Sequence, residues 1–346
     1  MPPLFDALLV QSFGGPEGLD DVLPFLRNVT RGRGVPEARL LEVAEHYRHF
    51  GGVSPINEQN RALIAALRTE LDAHGIELPI YWGNRNWQPY IADAVRSMRD
   101  DGVRRALVFT TSATTSYSAC RQYREDLERA CDDVGDPAPE LVKLRHFYDH
   151  PGFVAAQADA VSVAVADLPA DLRDAARLVF TAHSIPVAMN DVSGPRADGL
   201  YAAQQAETAR LVAEAVRGPG AEFDVAWQSR SGPPQVPWLE PDVNDHLKDL
   251  AARGVRAVVV TPSGFVSDHV EVRWDLDEEA AATAAELGLA FARSATVGTH
   301  PSFIAAIREL VEEQLSGVQA RALGTLGLSG FECPVGCCPA PRRAGS

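Results

Sequence analysis

Eight short apolar runs, separated by segments long enough to form helices, constrain the fold of this 346-residue chain more than any other feature. The runs lie near residues 7–12, 78–83, 105–111, 140–144, 177–182, 223–228, 257–261 and 288–292. Strands that alternate with helices of about 10 to 20 residues are typical of parallel, right-handed βαβ units. The sequence therefore predicts an α/β protein built on parallel sheets that are flanked by helices.

The second half of the chain repeats the order of motifs in the first half. Three pairs of segments match in the same order, namely residues 8–16 with 178–186, 82–85 with 227–230, and 102–110 with 254–261. A single match is weak evidence because buried strands resemble one another, but three in order favour a duplication. We expect two Rossmann-like domains with four strands each, at residues 1–150 and 151–320, and a cysteine-bearing tail at residues 321–346.

The two halves differ most in the connection between their first and second strands. This connection has about 65 residues in the first half and about 40 in the second, which indicates an insertion within about residues 13–77. Insertions on the carboxyl side of a parallel sheet usually cover or shape a binding site. We therefore expect this insertion to form part of a ligand cleft.

Two of the predicted strands end abruptly at histidines and carboxylates. His183 closes the fifth strand, and Glu271 follows the seventh, shortly after Asp268 and His269. The carboxyl ends of parallel strands meet at one edge of a sheet, where open α/β proteins bind ligands. A neutral imidazole opposite a carboxylate binds a divalent metal or transfers protons. The alternative for His183 alone is a residue that simply caps its strand.

Asp275 and Glu279 continue an acidic pattern at intervals of four residues from Glu271. On a helix this spacing places the three carboxylates along one face, although like charges four residues apart destabilise a helix. A solvated acidic face is the alternative interpretation. Since the stripe begins at the end of the same strand, we favour a path for a dication that leads to His183.

Charge and hydropathy exclude other classes of protein. The formal net charge is −15, whereas binding to nucleic acid needs clustered Lys and Arg side chains. No apolar run approaches the roughly 20 residues of a membrane-spanning helix, and the N-terminal residues lack the basic flank of a signal peptide. We expect a cytoplasmic protein with no membrane span and no nucleic-acid partner.

Three of the five cysteines, Cys333, Cys337 and Cys338, lie in a turn-rich segment near the C-terminus. A closed all-thiolate site, for zinc or for a [2Fe–2S] cluster, needs a fourth ligand from Cys120 or Cys131. These two lie about 16 Å apart if their segment is helical, so both cannot join one site. Cys120 is preferred because it begins a helix after the third strand, whereas Cys131 has apolar neighbours. The alternative is a tail with incidental thiols.

Five segments resemble motifs of the ferrochelatase family, in the order that the family has them. They are Ser-Phe-Gly-Gly-Pro at 12–16, Gly-Gly-Val-Ser-Pro-Ile-Asn at 51–57, Thr-Ala-His-Ser-Ile-Pro at 181–186, Trp-Gln-Ser-Arg at 227–230 and Gly-Phe-Val-Ser-Asp-His-Val-Glu at 264–271. The similarity covers roughly residues 5–315, and residues 28–34 and the cysteine tail are most similar to actinobacterial members. The resemblance implies a lyase of chelatase-like fold that inserts Fe²⁺ into coproporphyrin III in haem synthesis.

The resemblance also implies roles for individual residues. The family's metal-site histidine and the glutamate opposite it fall on His183 and Glu271, and its acidic stripe falls on Asp275 and Glu279. The porphyrin contacts fall on Ser54 and Tyr123 and, less directly, on Arg31, His46 and Tyr47. Phe13 is a further expected porphyrin contact; it stands where several Gram-positive relatives have a tyrosine, so no oxygen ligand to iron is expected there. The cysteine pattern implies a [2Fe–2S] cluster held by Cys333, Cys337, Cys338 and Cys120.

The implied mechanism is the exchange of two pyrrole protons for iron in a bent macrocycle. We expect His183 to accept pyrrole protons or to hold the incoming iron, and Glu271 to act as ligand or proton relay. The family also implies transient contacts with neighbouring haem-pathway enzymes.

Several alternatives to coproporphyrin insertion remain open. Protoporphyrin IX is the rival substrate. Arg27, Arg31 and Arg33 would suit the four propionates of coproporphyrin, but they fit equally well as surface residues, so they do not decide between the two porphyrins. A non-catalytic tetrapyrrole or metal carrier on the same fold, and a cobalt or nickel chelatase, are the other candidates.

Overall fold

The computed structural model describes residues 4–232, 234–330 and 333–340. The first sheet contains β1 (Ala7–Ser12), β2 (Ile80–Asn84), β3 (Arg105–Thr110) and β4 (Glu140–Lys143), in the order β2-β1-β3-β4. The second contains β5 (Arg177–His183), β6 (Asp224–Gln228), β7 (Ala257–Thr261) and β8 (Ala290–Arg293), in the order β6-β5-β7-β8. All neighbouring strands are parallel, which confirms the predicted fold class and duplication.

The strands form where aliphatic and β-branched residues run without interruption. All residues of β1 and of β7 are buried, as expected for strands that are covered by helices on both faces. No strand end differs by more than two residues from its prediction. His183 is the last residue of β5 and pairs with Gln228 of β6, which places it at the carboxyl edge of the second sheet.

Helices connect and cover the two sheets. They are α1 (Val22–Val29), α2 (Glu37–His49), α3 (Ile56–Ala73), α4 (Ile91–Asp100), α5 (Gln122–Val134), α6 (Pro151–Asp167), α7 (Val187–Asp191), α8 (Leu200–Arg217), α9 (Val243–Ala252), α10 (Val270–Arg273), α11 (Ala281–Leu287) and α12 (Pro301–Ser316). A 3₁₀ turn at Leu19–Asp21 and π-helical turns at Tyr117–Arg121 and Trp274–Ala280 complete them. In the described part of the chain, no helix has both the length and the apolar character that crossing a membrane requires.

The predicted insertion contains α1 and α2, which precede α3, the helix that connects β1 to β2. Phe25, Leu40 and Tyr47 of these two helices form an apolar cluster that also includes Val270 of the second half. The backbone N–H of Asp268 donates a hydrogen bond to the α3 side chain of Gln59 at 2.8 Å. The insertion therefore lies across the boundary between the two halves, beside the carboxyl edge of the second sheet.

The C-terminal helix crosses back to the first sheet. Phe303 and Ile307 of α12 are buried in one core cluster with Leu63 and Leu67 of α3. The boundary at residue 150 separates the two sheets, and α12 packs both against α6 of the second half and against α3 of the first. An amphipathic helix needs an apolar partner, and its sequence does not specify which sheet supplies it.

The segment after α12 runs along the first domain and ends near α5. His146 donates its backbone N–H to the carbonyl of Ser329 at 2.9 Å, and Tyr148 donates its hydroxyl to Gly327 at 3.2 Å. These contacts carry the C-terminal cysteines toward Cys120, which lies in the π-helical turn before α5.

Candidate functional site

His183 ends β5 with a defined tautomer. Its Nδ1 lies 2.5 Å from the carbonyl oxygen of Ser184, and since a carbonyl only accepts hydrogen bonds, Nδ1 carries the ring proton. In the neutral imidazole, Nε2 then carries the lone pair that accepts a proton or binds a metal. The backbone carbonyl of His183 accepts a hydrogen bond of 2.7 Å from the hydroxyl of Tyr201.

Glu271 lies in the first turn of α10, directly after His269, whose side chain caps that helix. The Nδ1 of His269 accepts the backbone N–H of Val272 at 3.4 Å. Burial lowers the pKa of His269, whereas Glu271 raises it and His183 lowers it. The charges of both His183 and Glu271 therefore affect His269. This places His183 and Glu271, which the sequence predicted as a pair, in one region of the structure.

Asp275 and Glu279 follow in the π-helical turn Trp274–Ala280. Turns of this kind are rare and occur frequently at functional sites. Burial, and then the charge of Glu271, raise the pKa of Asp275 to about 7. Glu279 adds to this effect, which shows that the three carboxylates share one electrostatic environment. Asp275 is therefore an acid that gains and loses its proton near neutral pH.

The end of β6 holds Asp275 in place. Gln228 donates its side-chain amide to Asp275 Oδ2 at 3.1 Å, and the hydroxyl of Ser229 donates to the same oxygen. Ser229 has a φ of 60°, a left-handed backbone conformation that costs a residue other than glycine about 1–3 kcal/mol. The hydrogen bond to Asp275 stabilises this conformation, so the strand end and the acidic turn support each other.

Helix α2 faces the acidic turn from the insertion. The ring of His46 stacks on Trp274 with 3.9 Å between centroids and 8° between planes, and Trp274 Nε1 donates to Glu279 at 2.8 Å. Burial lowers the pKa of His46, while Glu279 and Glu271 raise it. Tyr47 is buried and Glu271 contributes to its raised pKa, after burial. His46 and Tyr47 therefore lie with the acidic residues at the boundary between the halves.

Ser54 and Phe13 lie beside the loop that follows β1. Ser54 is buried and donates its backbone N–H to the carbonyl of Pro16 at 2.8 Å. A Cβ on Gly15 would lie 2.6 Å from the Cβ of Ser54, so glycine is required for this close approach. The ring of Phe13 packs edge-on against Phe25 at 6.4 Å and offers no oxygen at this position.

Tyr123 is a buried residue near the start of α5. The guanidinium of Arg85 lies 3.6 Å from the centroid of its ring and is paired with Asp126. Burial raises the pKa of Tyr123, and Arg85 lowers it. Arg85 therefore covers one face of the ring, and a ligand in contact with Tyr123 must approach from elsewhere.

Three arginines at and after the end of α1, namely Arg27, Arg31 and Arg33, are exposed. Arg27 forms an ion pair of 2.5 Å with Glu37. Arg31 lowers the pKa of Tyr90, against the larger effect of burial, which raises it. Arg31 and Arg33 both lie in the turn that connects α1 to α2, on the solvent side of the insertion.

Four cysteine thiols come together where the C-terminal segment meets α5. The Sγ atoms of Cys337 and Cys338 lie 3.6 Å apart. Hydrogen bonds from Cys120 and then from Arg124 lower the pKa of Cys333 to about 6, against burial, and Cys333 also contacts Cys337. The fifth cysteine lies elsewhere, since Cys131 contacts the carbonyl of Pro139 at 3.8 Å and packs in an apolar cluster.

Within residues 4–232, 234–330 and 333–340, no three His, Cys, Asp or Glu side chains are grouped so that they could hold a metal ion. The thiols nonetheless contact one another, since Cys333 contacts both Cys120 and Cys337, and Cys337 contacts Cys338.

Three residues of this region carried no assignment from the sequence. Ser229 lies in the Trp-Gln-Ser-Arg motif, which could have identified it. Trp274 lies directly before Asp275, where the acidic pattern draws attention to the carboxylates and not to the tryptophan. Tyr201 lies in α8 among alanines and glutamines, where no pattern distinguishes a functional tyrosine.

The chain is similar to known proteins over most of its length. The family model described as Ferrochelatase matches residues 5–315. A protein of Nocardia farcinica named coproporphyrin III ferrochelatase is 59% identical over 98% of this chain and 97% of its own length. Proteins of the same name from Streptomyces griseus and Mycolicibacterium smegmatis are 55% and 59% identical, over 100% and 92% of this chain and 97% and 92% of their own lengths.

Solved structures share the fold at low sequence identity. SirB from Bacillus subtilis with Fe³⁺ has a TM-score of 0.55 at 12% identity and covers 90% of this chain and 96% of its own. The sirohydrochlorin chelatase SirB from Bacillus subtilis subspecies spizizenii in complex with cobalt has a TM-score of 0.52 at 14% identity, with the same coverage. At this identity the comparison concerns the fold alone.

Proposed function

Because the chain belongs to the ferrochelatase family, we propose that it is a lyase that inserts Fe²⁺ into coproporphyrin III. The observation that carries this proposal is the placement of His183 and Glu271 at the carboxyl edge of the second sheet, beside the acidic turn. The relatives named coproporphyrin III ferrochelatase support this substrate.

The reaction exchanges one iron ion for two protons. Fe²⁺ and the porphyrin are both substrates, and the two pyrrole N–H groups release their protons as the metal–nitrogen bonds form. Nε2 of His183 has the lone pair to accept one proton, and the carboxylate of Glu271 accepts a proton or contacts the iron. Asp275, with a pKa of about 7, is suited to pass protons onward to solvent.

The test is anaerobic insertion of Fe²⁺ under multiple turnover, measured with coproporphyrin III and protoporphyrin IX side by side. We expect higher kcat/KM with coproporphyrin III. His183→Ala should abolish insertion while porphyrin binding, followed by fluorescence, is retained. His74→Ala, at an exposed histidine in the turn after α3, is the matched control and should have wild-type turnover. Turnover retained in His183→Ala would contradict the assignment, and no turnover in the wild type would favour a carrier.

Two observations bear on the choice of porphyrin. Coproporphyrin has four propionates and protoporphyrin has two, so more cationic groups at the cleft favour the former. Arg31 and Arg33 are exposed on the insertion, whereas Arg27 is already paired with Glu37. Arg31→Ala should therefore raise the KM for coproporphyrin III more than the KM for protoporphyrin IX.

We further propose that Cys120, Cys333, Cys337 and Cys338 hold a [2Fe–2S] cluster. Four thiols in a continuous set of contacts match the donors that such a cluster requires, although they do not form a single-ion site. The cationic Arg124 beside Cys333 favours thiolates there. A bound cluster supplies one-electron chemistry and also ties the C-terminal segment to α5.

Visible absorbance with iron and sulfide analysis, on protein purified without oxygen, tests the cluster. Cys120→Ser should remove the absorbance and Cys131→Ser should keep it. A colourless, iron-free wild-type protein would contradict the proposal. The cytoplasmic location and the transient contacts with neighbouring haem-pathway enzymes stay predictions.

A further inference from the structure

Tyr201 is a buried residue in the first turn of α8 that contacts the backbone of the metal-site histidine. Its hydroxyl donates a hydrogen bond of 2.7 Å to the carbonyl oxygen of His183. His183 is the last residue of β5; it still pairs with Gln228 of β6, but the ladder with β7 ends three residues earlier, at Phe180. The position of its ring therefore depends on the few contacts that hold the strand end, and Tyr201 supplies one from a different element.

The turn before α8 fixes the position of Tyr201. Ser193 Oγ accepts the backbone N–H of Tyr201 at 2.9 Å, and Asn190 Oδ1 accepts that of Ala202 at 3.1 Å. These two side chains cap the helix, because Gly199 directly before it has no side chain to do so. A shift of the Ser193 turn therefore displaces the start of α8.

The same turn contacts the thiol site. The backbone N–H of Gly194 points at the Sγ of Cys338 over 3.3 Å, and Cys338 is buried with a left-handed φ of 51°. Residue 194 must be glycine for the turn to pack this closely, since a Cβ there would lie 2.8 Å from the Cβ of Leu200. One continuous set of contacts thus leads from Cys338 through Gly194, Ser193 and Tyr201 to His183.

A second route reaches the same helix from Cys120. Lys143 Nζ lies 3.6 Å from the Sγ of Cys120 and 3.2 Å from Nε2 of the buried His146. Nδ1 of His146 lies 3.1 Å from Ser329 Oγ, which accepts the side-chain amide of Gln204 at 3.0 Å. Gln204 is one turn beyond Tyr201 on α8, so a series of contacts leads to the start of this helix from Cys120 as well as from Cys338.

We propose that Tyr201 is a positioning residue for His183, and that the Ser193 turn couples it to Cys338, so that disturbing the thiol site displaces His183. The inference rests on the proposed function for the role of His183, but its contacts are independent of any substrate. A misplacement of about 1 Å in a catalytic group can cost about a hundredfold in rate, so a small shift at the strand end has a measurable effect.

The first experiment compares Tyr201→Phe with Tyr81→Phe. The two tyrosines each donate one hydroxyl hydrogen bond of 2.7 Å, but Tyr81 bonds Asp101 on the far side of the first sheet. We expect kcat for iron insertion to fall at least about tenfold in Tyr201→Phe, with the KM for porphyrin within about twofold of wild type. Equal kcat in the two variants would overturn the positioning role.

The second experiment measures amide hydrogen exchange by mass spectrometry in peptides that span residues 177–186. Cys338→Ala should speed exchange at residues 183–185 at least about threefold, as Tyr201→Phe does, and the double variant should be no faster than either single one. Cys131→Ala, at the cysteine outside the thiol site, is the control and should match wild type. Faster exchange confined to residues 190–194 and the tail would overturn the coupling.

Ser193→Ala gives a variant that keeps all the cysteines. It should reproduce the faster exchange at residues 183–185 with the thiol site intact, and unchanged exchange there would count against the route through Ser193. Since exchange needs no turnover, this result decides the inference even if the wild type fails to insert iron, in which case the proposed function alone is wrong.

Discussion

The roles that we propose for His183 and Glu271 differ because the surroundings of the two side chains differ. The Ser184 carbonyl accepts a hydrogen bond from Nδ1 of His183, so Nε2 carries the lone pair of the neutral imidazole. Glu271 is one of three carboxylates in a shared environment, and its charge raises the pKa of Asp275. A dication binds best where several carboxylates repel one another, since its arrival relieves that repulsion. We therefore propose that the acidic turn attracts iron and that His183 receives it.

Replacing Glu271 with glutamine tests this division of roles. Glu271→Gln keeps the size of the side chain but removes a charge and a proton acceptor. We expect kcat for insertion to fall by about 10²- to 10⁴-fold, the usual range for loss of a general base, with porphyrin affinity little changed. Anaerobic steady-state kinetics measure kcat, and quenching of porphyrin fluorescence measures the affinity. Glu286→Gln, at an exposed position in α11, is the control, and similar rates in both variants would contradict the role of Glu271.

Asp275 makes the stability of the metal-free protein depend on pH. Its pKa is about 7 in the folded state against about 4 in an unfolded chain, so the folded state binds more protons between these values. The free energy of unfolding should therefore fall as the pH rises from about 4 to about 7, by at most about 4 kcal/mol, since one pKa unit is worth about 1.4 kcal/mol.

Asp275→Asn removes this titration and should be more stable than wild type at pH 8 but not at pH 4. Urea unfolding at both pH values measures the difference, with Asp72→Asn at an exposed position of α3 as control. A difference between Asp275→Asn and wild type that does not grow with pH would contradict the assigned shift.

At the scale of elements, the sequence predicts the strands, but it does not predict the π-helical turn or the helix that packs against it. Uninterrupted aliphatic runs specify buried parallel strands, and the polar residues that follow them mark the carboxyl edge, which is why His183 and Glu271 stand out in the sequence. The π-helical turn Trp274–Ala280 has the composition of an ordinary helix, and its contacts with α2 and with the end of β6 join segments that are distant in sequence. The stacking of His46 on Trp274 joins residues that are far apart in sequence, and no sequence pattern relates the two.

The contact between α2 and the π-helical turn is testable by a double-mutant cycle. His46→Ala and Trp274→Ala should each destabilise the protein, and the double variant should be less destabilised than their sum by about 0.5–1.5 kcal/mol, the usual value of an aromatic pair. Urea denaturation gives the three free energies. A coupling of zero would mean that the stacking seen at 3.9 Å does not hold α2 against the turn.

At the scale of the whole molecule, two similar sheets are joined by segments that no repeat predicts. The duplication follows from the order of matched segments, but the partner sheet of α12 and the path of residues 317–330 depend on tertiary contacts. Arg145, with no exposed side-chain surface, donates to the carbonyl of Arg321 at 2.8 Å, and Glu207 of the second half accepts the backbone N–H of Thr325 at 2.8 Å. The C-terminal segment thus connects the two halves by hydrogen bonds, and it also contains three cysteines.

Two truncations separate these roles of the C-terminal segment. Ending the chain after Gly330 removes three cysteines but keeps the contacts with Arg145 and Glu207, whereas ending it after Ser316 removes those contacts as well. Each lost buried hydrogen bond costs about 1 kcal/mol, and more where a donor or acceptor is left unpaired. We expect the longer protein to melt close to the cluster-free full chain and the shorter one several degrees lower, measured by near-ultraviolet circular dichroism. Equal melting temperatures for the two truncations would show that residues 317–330 do not clasp the halves together.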